Sequence, residues 1–323
     1  MKKTFYWIIA LLSASCSQIS DSRVLKLAHG LDAQHPVHLA MEYMAKRVAE
    51  KSGGKLTIQI YTSGQLGSER ECLELLQIGS LAMTKVSSAV MENFAPNFKA
   101  LGLPYIFRSR QHQFKVLDGP IGQELLVQAE KYWLRGLCFY DAGSRSFYTT
   151  KKPIYSPEDL QGLKIRVMKS QTAIEMVNAL GGSPTPISFG ELFTALQQGV
   201  VDGAENNPPS FVTSRHYEVC KYYTLNEHTS VPDVLIISTK VWNLLSEQEK
   251  KWLLEAAQES VIEQRRLWEI SENECLALLE KEGVQIIRPD KTVFAQKVAA
   301  LAENYRNEPE IYSYIQRIRA TQE

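Results

Sequence analysis

Cysteine is scarce in this sequence, and its spacing does not form a recognised metal-binding or redox motif. The chain has 5 cysteines in 323 residues, and none stands in a C-x-x-C pair or at zinc-ligand spacing from a histidine. Buried free thiols are therefore predicted, with one or two disulfides left open as the alternative in an exported protein. The prediction concerns the four cysteines after residue 16, which are Cys72, Cys138, Cys220 and Cys275.

An excess of charge of either sign is also absent. Lys plus Arg and Asp plus Glu number 36 each, so net charge does not indicate a nucleic acid or an anionic membrane as partner. Common enzyme motifs, including G-x-S-x-G, the phosphate-binding loops and H-E-x-x-H, are missing as well. His29, His35 and His38 are close in sequence, but no carboxylate or cysteine accompanies them at ligand spacing. We therefore expect neither catalysis nor a metal or other cofactor.

The first residues have the pattern of a processing signal. Two lysines precede an apolar run over residues 5–12, which small residues follow; this is typical of a secretory signal and too short for a membrane span. Cys16 stands where a bacterial lipoprotein carries its lipidated first residue. Cleavage after Ser15 to a soluble chain is the alternative, because Ser13 occupies a position where leucine is usual. Residues 1–23 are assigned to the signal and tether.

The rest of the chain is long enough for two domains and has an α/β pattern. A strand at 24–28, a helix from Pro36 and a strand at 56–60 predict a βαβ unit with parallel strands. A capping box at Ser246 begins a segment without a breaker up to Gly283, which predicts a helix about 54 Å long at ~1.5 Å per residue. Such a helix exceeds one lobe and is expected to lie across both.

Further elements follow from apolar alternation and from turn residues. Strands are expected at 81–86, 137–140, 162–167, 200–201 and 231–238. Crossings near Ala142 and Val231 divide the chain into lobe I, residues 24–142 plus 232–271, and lobe II, residues 143–231 plus 272–323. In this division, helices near 294–305 and 311–319 complete lobe II.

Arg166 is the residue around which a binding site is predicted. It stands near the carboxyl end of the strand at 162–167, the end at which ligands of open α/β sheets lie. A guanidinium there can bind a carboxylate through two parallel hydrogen bonds. On the strand alone, a surface salt bridge is the alternative.

The order of several segments resembles the solute-binding proteins of tripartite ATP-independent periplasmic (TRAP) transporters. The similarity extends from about residue 24 to the C-terminal helices. The segments that carry the resemblance are Arg145 and residues 63–67, 162–167, 184–189 and 196–206. Their combination in this order is specific, although each segment alone would be a weak signal. The resemblance implies an α/β, two-lobed periplasmic binding protein fold with mixed sheets and a long helix spanning both lobes. It also implies a binding protein rather than an enzyme.

The resemblance implies roles for particular residues. In that family the arginine matching Arg166 pairs with the ligand carboxylate in a bidentate manner, and the arginine matching Arg145 supports the same group. The asparagine matching Asn206 hydrogen-bonds to it or beside it, and the aromatic residue matching Phe189 packs on the ligand body. Four positions that line the cleft in relatives and vary with the ligand are also expected in the site, namely His29, Glu69, Lys85 and Asp233.

The doubled asparagine at 206–207 with its two following prolines, together with residues 67–71 and 84–87, resembles family members that take up uronic acids such as glucuronate and galacturonate. A hexuronate offers one carboxylate and several hydroxyls, which suits an arginine clamp with carboxylate, amide, imidazole and ammonium groups that bind the hydroxyls. An acidic Glu69 would repel the second carboxylate of a C4-dicarboxylate. The resemblance thus implies an extracytoplasmic protein that delivers a sugar acid to the small and large membrane subunits of a TRAP transporter. Another carboxylate, such as a C4-dicarboxylate or keto acid, and a periplasmic sensor role remain alternatives.

Overall fold

The computed structural model describes residues 22–323 of the chain. Within them, the strands are β1 (Arg23–Ala28), β2 (Leu56–Tyr61), β3 (Met83–Ser87), β4 (Leu134–Tyr140), β5 (Arg145–Thr149), β6 (Lys164–Val167), β7 (Ser183–Pro186), β8 (Gly203–Asn206), β9 (Tyr222–Thr229), β10 (Asp233–Ser238) and β11 (Gln285–Ile287). The α-helices are α1 (Pro36–Ser52), α2 (Glu69–Ile78), α3 (Ser88–Met91), α4 (Lys99–Gly102), α5 (Arg110–Asp118), α6 (Pro120–Gln128), α7 (Gln171–Ala179), α8 (Leu192–Gln197), α9 (Pro208–Thr213), α10 (Thr239–Trp242), α11 (Glu247–Lys281), α12 (Lys291–Val298) and α13 (Pro309–Ala320). The predicted signal and Cys16 lie outside the described residues.

The first sheet has the strand order β2-β1-β3-β10-β4. β1 pairs in parallel with β2 and β3, as the predicted βαβ unit requires, and β10 runs antiparallel between β3 and β4. Adjacent side chains of a strand point to opposite faces of the sheet. Apolar clusters cover both faces of this sheet, so its central strands are buried on both. In β10, Val234 contributes to one apolar cluster and Leu235 to the other.

The second sheet has the strand order β11-β9-β5-β8-β6-β7. β6 pairs in parallel with β7 and β8, whereas β5 is antiparallel to β8 and β9. Helix α7 and Phe294 of α12 pack on one side of this sheet, and Phe211 of α9 packs on the other. The two sheets with covering helices confirm the predicted α/β, mixed-sheet fold.

Helix α11 connects the two halves of the molecule. It has 35 residues and begins at the predicted capping box, in which the Ser246 hydroxyl accepts from Glu249 N and the Glu249 carboxylate accepts from Ser246 N. Trp268 belongs to the apolar cluster of the first sheet, and Leu279 belongs to a cluster of the second. The prediction of one long helix lying across both lobes is therefore confirmed.

The structure differs from the predicted elements in several places. The strand expected at 200–201 forms three residues later as β8, because Gly199 and Val200 still belong to the turn after α8. β5, β7 and β9 were not predicted as strands. Polar residues interrupt the apolar patterns of β5 and β9, and β7 has the sequence Ser-Pro-Thr-Pro, which has no apolar pattern. Helix α13, expected in lobe II, packs instead against α4 and α6, which belong to the half of the molecule with the first sheet. Its residues Ile311 and Ile315 join the apolar cluster that contains Phe98. The other lobe boundaries stay a prediction.

The four cysteines in the described part of the chain are buried and unpaired. This agrees with the predicted free thiols. Burial raises the pKa of Cys72 to about 11 and that of Cys138 to about 12. Among residues 22–323, no helix combines the length and the apolar character that a membrane span needs.

Gly203 is the position at which close packing of β8 against β5 can be tested. A Cβ atom built there would lie 2.4 Å from the Tyr148 carbonyl oxygen and 2.8 Å from Thr149 Cγ2. The strands must separate to accept it, so Gly203→Ala should lower the free energy of unfolding in urea by about 1–3 kcal/mol. Gly190→Ala is the matched control because a Cβ there meets no atom within 4 Å. Equal stability of the two variants would contradict this packing.

Candidate functional site

A cleft of about 660 Å³ lies between the two sheets and is lined from both sides. Glu69, Lys85 and Asp233 approach it from the first sheet. The lining residues of the second sheet include four of the predicted ones, which are Arg145, Arg166, Phe189 and Asn206. Seven of the eight predicted ligand-binding residues are thus brought together, and His29 is not.

Strand direction explains why three polar residues of the second sheet meet at this cleft. β6 and β8 run in parallel, so their carboxyl ends, with Arg166 and Asn206, reach the same edge of the sheet. β5 runs antiparallel to β8 and therefore begins at that edge, with Ser146 opposite Asn206 and Arg145 just before it. The edge occupied by the carboxyl ends of parallel strands is where α/β proteins bind their ligands.

Arg166 is a buried cation that the described residues satisfy only in part. Its side chain is 2% exposed, and its Nε donates to the carbonyl oxygen of Ile187 at 2.8 Å. Its buried Nη1 has no hydrogen-bond partner among the described residues. The Phe189 ring centroid lies 5.9 Å from Cζ of the guanidinium. An unsatisfied buried donor is costly, so this atom is poised for an acceptor that comes from the cleft.

Arg145, in contrast, is already engaged by the protein. Its Nε and Nη2 donate to the two carboxylate oxygens of Glu205 at 2.5 and 2.9 Å, and Nη2 also donates to the Glu205 carbonyl. Its Nη1 donates to Asn206 Oδ1 at 2.7 Å. Burial alone would raise the pKa of Glu205, but Arg145 and the neighbouring His228 outweigh it and lower this pKa to about 2. Glu205 therefore holds Arg145 in place as a fixed, neutral pair.

Asn206 and Asn207 have separate roles in the doubled asparagine. Asn206 Oδ1 accepts from Arg145 and from the backbone N–H of Asn207, which leaves the Asn206 Nδ2 amide as its donor on the cleft side. Asn207 Oδ1 accepts from Ser210 N at 2.8 Å and thereby caps helix α9. The first asparagine is thus available to a ligand, and the second fixes the backbone that presents it.

The first-sheet side of the cleft carries two acids around one lysine. Lys85 Nζ donates to Glu69 Oε1 and to Asp233 Oδ1, both at 3.1 Å. Lys85 and Asp233 are diagonal neighbours on one face of the β3–β10 pair. Burial would lower the pKa of Lys85, yet Asp233 and Glu69 raise it overall. The three charges sum to minus one, so this side favours hydroxyl groups over a second anion.

His29 is placed outside the cleft, contrary to the prediction. It is 1% exposed, its Nδ1 accepts from Leu31 N at 3.1 Å, and its Nε2 lies 3.0 Å from His38 Nδ1. Burial first, and then Lys85 and His38, lower the pKa of His29 to about 3. One ring nitrogen of this neutral imidazole is occupied by the loop after β1 and the other by His38 of α1. The next two residues, Gly30 and Leu31, line the cleft instead.

Two contacts join the sides of the cleft away from the charged residues. The carboxylate of Glu92, after α3, accepts from Thr172 N at 3.2 Å and from Thr172 Oγ1 at 2.8 Å in the first turn of α7. His35, which caps α1, lies with Nε2 3.2 Å from Ser210 Oγ in α9. These residues and Glu205 were not predicted. Glu205 alone has a sequence signal, since it is an acid in the strand that presents Asn206.

The Arg145–Glu205 pair gives a test by pH. The pKa of Glu205 lies near 2 in the folded protein, below its ordinary 4.5. Its stabilising contribution is therefore complete above pH 4.5 and is lost as pH falls toward 2. Glu205→Gln should lower the free energy of unfolding by about 3–5 kcal/mol at neutral pH, because it leaves Arg145 buried without its carboxylate.

The difference between wild type and Glu205→Gln, measured by urea unfolding across acidic pH, should shrink below pH 4.5. Glu247→Gln is the control, because the Glu247 side chain is 90% exposed. A pH-independent difference would contradict the ion-pair account.

The chain matches the bacterial extracellular solute-binding protein family 7 (DctP) over residues 27–309. A TRAP periplasmic solute-binding protein from Bradyrhizobium sp., in complex with α/β-D-galacturonate, is 41% identical with a TM-score of 0.90, covering 93% of this chain and 100% of that one. The protein from Pseudomonas putida with bound D-glucuronate is 36% identical with a TM-score of 0.89, covering 93% and 98%.

A third structure broadens the ligands seen on this fold. The TRAP periplasmic solute-binding protein from a Polaromonas species, bound to D-erythronate, is 33% identical with a TM-score of 0.90, covering 94% of this chain and 100% of that one. All three ligands in these structures are sugar acids with one carboxylate. The extent of the family match and the identity over nearly the whole length decide the assignment: this chain belongs to the bacterial extracellular solute-binding protein family 7, with TRAP periplasmic binding proteins as its similar solved structures.

Proposed function

We propose that this protein captures a hexuronate, such as D-galacturonate or D-glucuronate, and delivers it to the small and large membrane subunits of a TRAP transporter. The observation that carries the proposal is the buried Arg166 Nη1 without a partner among the described residues, at the edge of a cleft whose other buried cations, Arg145 and Lys85, are paired with acids. The uronates bound by similar structures support this ligand class.

The ligand carboxylate is assigned to the second-sheet side. Arg166 offers Nη1 there, and its pairing with an anion would remove the cost of an unsatisfied buried donor. Asn206 offers its amide beside it, and Arg145, held by Glu205, supports the group by fixing the position of Asn206. Phe189, next to the Arg166 guanidinium, would pack on the apolar face of the sugar ring.

The ligand hydroxyls are assigned to the first-sheet side. Glu69 and Asp233 accept hydrogen bonds, and Lys85 between them donates, which matches a row of hydroxyls that both donate and accept. A second carboxylate would meet the net negative charge of this group. A hexuronate therefore satisfies both sides, whereas a C4-dicarboxylate or a keto acid satisfies only the side of Arg166.

The rank order of ligands is the first prediction from this site. Calorimetry on one preparation should show galacturonate or glucuronate binding more tightly than succinate, and glucose binding least. Glucose leaves Arg166 unpaired on closure, a loss of about 2–5 kcal/mol. Succinate leaves unfilled the acceptor capacity that Glu69 and Asp233 have beyond their bonds to Lys85, at about 1–3 kcal/mol for each group. Succinate binding more tightly than both uronates would refute the hexuronate assignment while keeping the transporter family.

Arg166→Ala tests the anchor itself. The variant should lose about 2–5 kcal/mol of uronate binding, because a desolvated carboxylate would face no cation. Arg166→Lys should also bind weakly, since an ammonium cannot replace the planar fork. Arg215→Ala serves as control, as its side chain is 70% exposed. Thermal unfolding would establish that each variant is folded. Affinity unchanged in folded Arg166→Ala would remove Arg166 from the site.

The cleft is proposed to close by hinge motion of the two lobes. The chain crosses between the sheets at residues 141–144 and 230–232 and again through α11, and Ala142 and Val231 of the two shorter crossings line the cleft. Few-residue crossings of this kind are where hinge closure concentrates its backbone changes. We keep the predicted lobe boundaries as part of this proposal, except for α13.

Members of this family act outside the cytoplasm, and we propose that Cys16 carries the lipid that anchors this one to the membrane. The support is the sequence pattern of the first 16 residues. Solute-binding proteins are not enzymes, and we propose no catalytic step here. The same ligand presented to a signalling receptor is the remaining alternative for the partner. A cellular response to uronate that needs the binding protein and persists in cells lacking the membrane subunits would favour the receptor role.

A further inference from the structure

Ser210 is a cleft residue outside the predicted site. It lies in the first turn of α9, lines the cleft and is 4% exposed. Its hydroxyl oxygen lies 3.2 Å from Nε2 of His35. His35 precedes α1, which packs in the half of the molecule with the first sheet. The direction of this hydrogen bond across the cleft decides what the serine can offer to a ligand.

The backbone of α1 fixes the tautomer of His35. Val37 N donates to His35 Nδ1 at 3.2 Å. Because a backbone N–H can only donate, Nδ1 is the ring nitrogen without a proton. Burial first, and then the nearby Lys85, hold the pKa of His35 well below its usual 6.5, so the ring is neutral and carries its one N–H at Nε2. The His35 Nε2–H therefore donates to the Ser210 oxygen.

The hydroxyl proton of Ser210 is left without an acceptor. A hydroxyl has one donor and two acceptor sites, and the bond from His35 uses the oxygen as an acceptor. Among residues 22–323, His35 is the one hydrogen-bond partner of this hydroxyl. A buried donor that has no acceptor is costly. The proton therefore needs an acceptor from the cleft that Ser210 lines, as Arg166 Nη1 does.

Ser210 is tied to the part of the site that receives the ligand carboxylate. Asn207 N donates to Asn206 Oδ1 at 2.9 Å, and Ser210 N donates to Asn207 Oδ1 at 2.8 Å. The second-sheet side of the cleft thus offers three donors, which are Arg166 Nη1, the Asn206 amide and the Ser210 hydroxyl. A carboxylate has about four lone-pair sites, whereas a hydroxyl has two. The carboxylate is the group of a sugar acid that can accept from all three.

We propose that Ser210 is a further ligand-binding residue whose hydroxyl donates to the carboxylate of the bound sugar acid, and that His35 is a positioning residue that orients this hydroxyl from the opposite side of the cleft. The inference deepens the proposed function and rests on it. In the proposed hinge motion the His35 bond breaks when the lobes separate. Closure therefore turns a freely rotating hydroxyl into a fixed donor, which favours an anionic acceptor at this position.

A double-mutant cycle on the mature protein tests both roles, with binding of D-galacturonate measured by calorimetry. Ser210→Ala removes the donor. His35→Asn removes the imidazole that reaches Ser210, while its side-chain oxygen can still cap α1. Ser210→Ala should weaken binding about 10- to 100-fold, as expected for a hydrogen bond to a charged group. In the His35→Asn protein the same change should still weaken binding about tenfold, because the hydroxyl contacts the ligand itself.

The tautomer of His35 is a readout that a merely structural role would not determine. Long-range ¹H–¹⁵N NMR of the galacturonate complex should show its Nε2 protonated and its Nδ1 unprotonated, with His35→Asn identifying the signals. A protonated Nδ1 would overturn the orientation of the Ser210 hydroxyl. Ser214→Ala is the matched control for the binding assay, since Ser214 follows the other end of α9 and is not among the residues that line the cleft. It should leave the affinity unchanged.

The outcomes separate this inference from the proposed function. Wild type that binds neither galacturonate nor glucuronate would overturn both. Wild type that binds a uronate, with folded Ser210→Ala binding it equally well, would overturn the role of Ser210 alone. A Ser210→Ala effect that disappears in the His35→Asn protein would show that the serine acts only as a contact between the lobes, and this result would also overturn the bond to the ligand. Thermal unfolding establishes that each variant is folded.

Discussion

The buried guanidinium of Arg166 is the constraint on which the site depends. A cation that is 2% exposed needs compensation, and the described chain supplies one carbonyl and the face of one aromatic ring rather than a carboxylate. Arg145 and Lys85, the other buried cations of the cleft, are paired with carboxylates within the protein. The unpaired donor of Arg166 therefore favours an anionic group on its side of the cleft.

The other polar groups of the cleft are ordered by folding before a ligand binds. Glu205 fixes Arg145, Arg145 fixes Asn206, and Asn207 fixes the start of α9. Groups that are already ordered lose little entropy when a ligand arrives, which is the physical basis of preorganised binding. The opposite side has the same property, since Lys85 orders both Glu69 and Asp233. The polar groups on both sides of the cleft are thus held in place before a ligand binds.

Much of this arrangement could be predicted from the sequence, and the exceptions have physical reasons. The βαβ opening, α11 and the position of Arg166 follow from local patterns that tertiary packing did not override. β9 could not be predicted from a local pattern, because polar residues in it, such as Asn226 and His228, are buried and hydrogen-bond to each other. α13 was assigned to the wrong lobe since its apolar face fits either sheet, and sequence order carries no information on which one. His29 was expected in the cleft from the family resemblance, but in the structure its ring contacts His38 and does not line the cleft.

The buried thiols have a consequence for how this protein is made. A thiol whose pKa is raised to about 11 or 12, as at Cys72 and Cys138, has almost no thiolate at neutral pH, and the thiolate is the form that reacts with oxidants and disulfides. The folded protein is therefore inert in an oxidising compartment although it has no disulfide in its described part. The unfolded chain lacks this protection, since its thiols recover their ordinary reactivity. Oxidative mispairing is then a competition between the rate of burial and the rate of oxidation, decided once, during export.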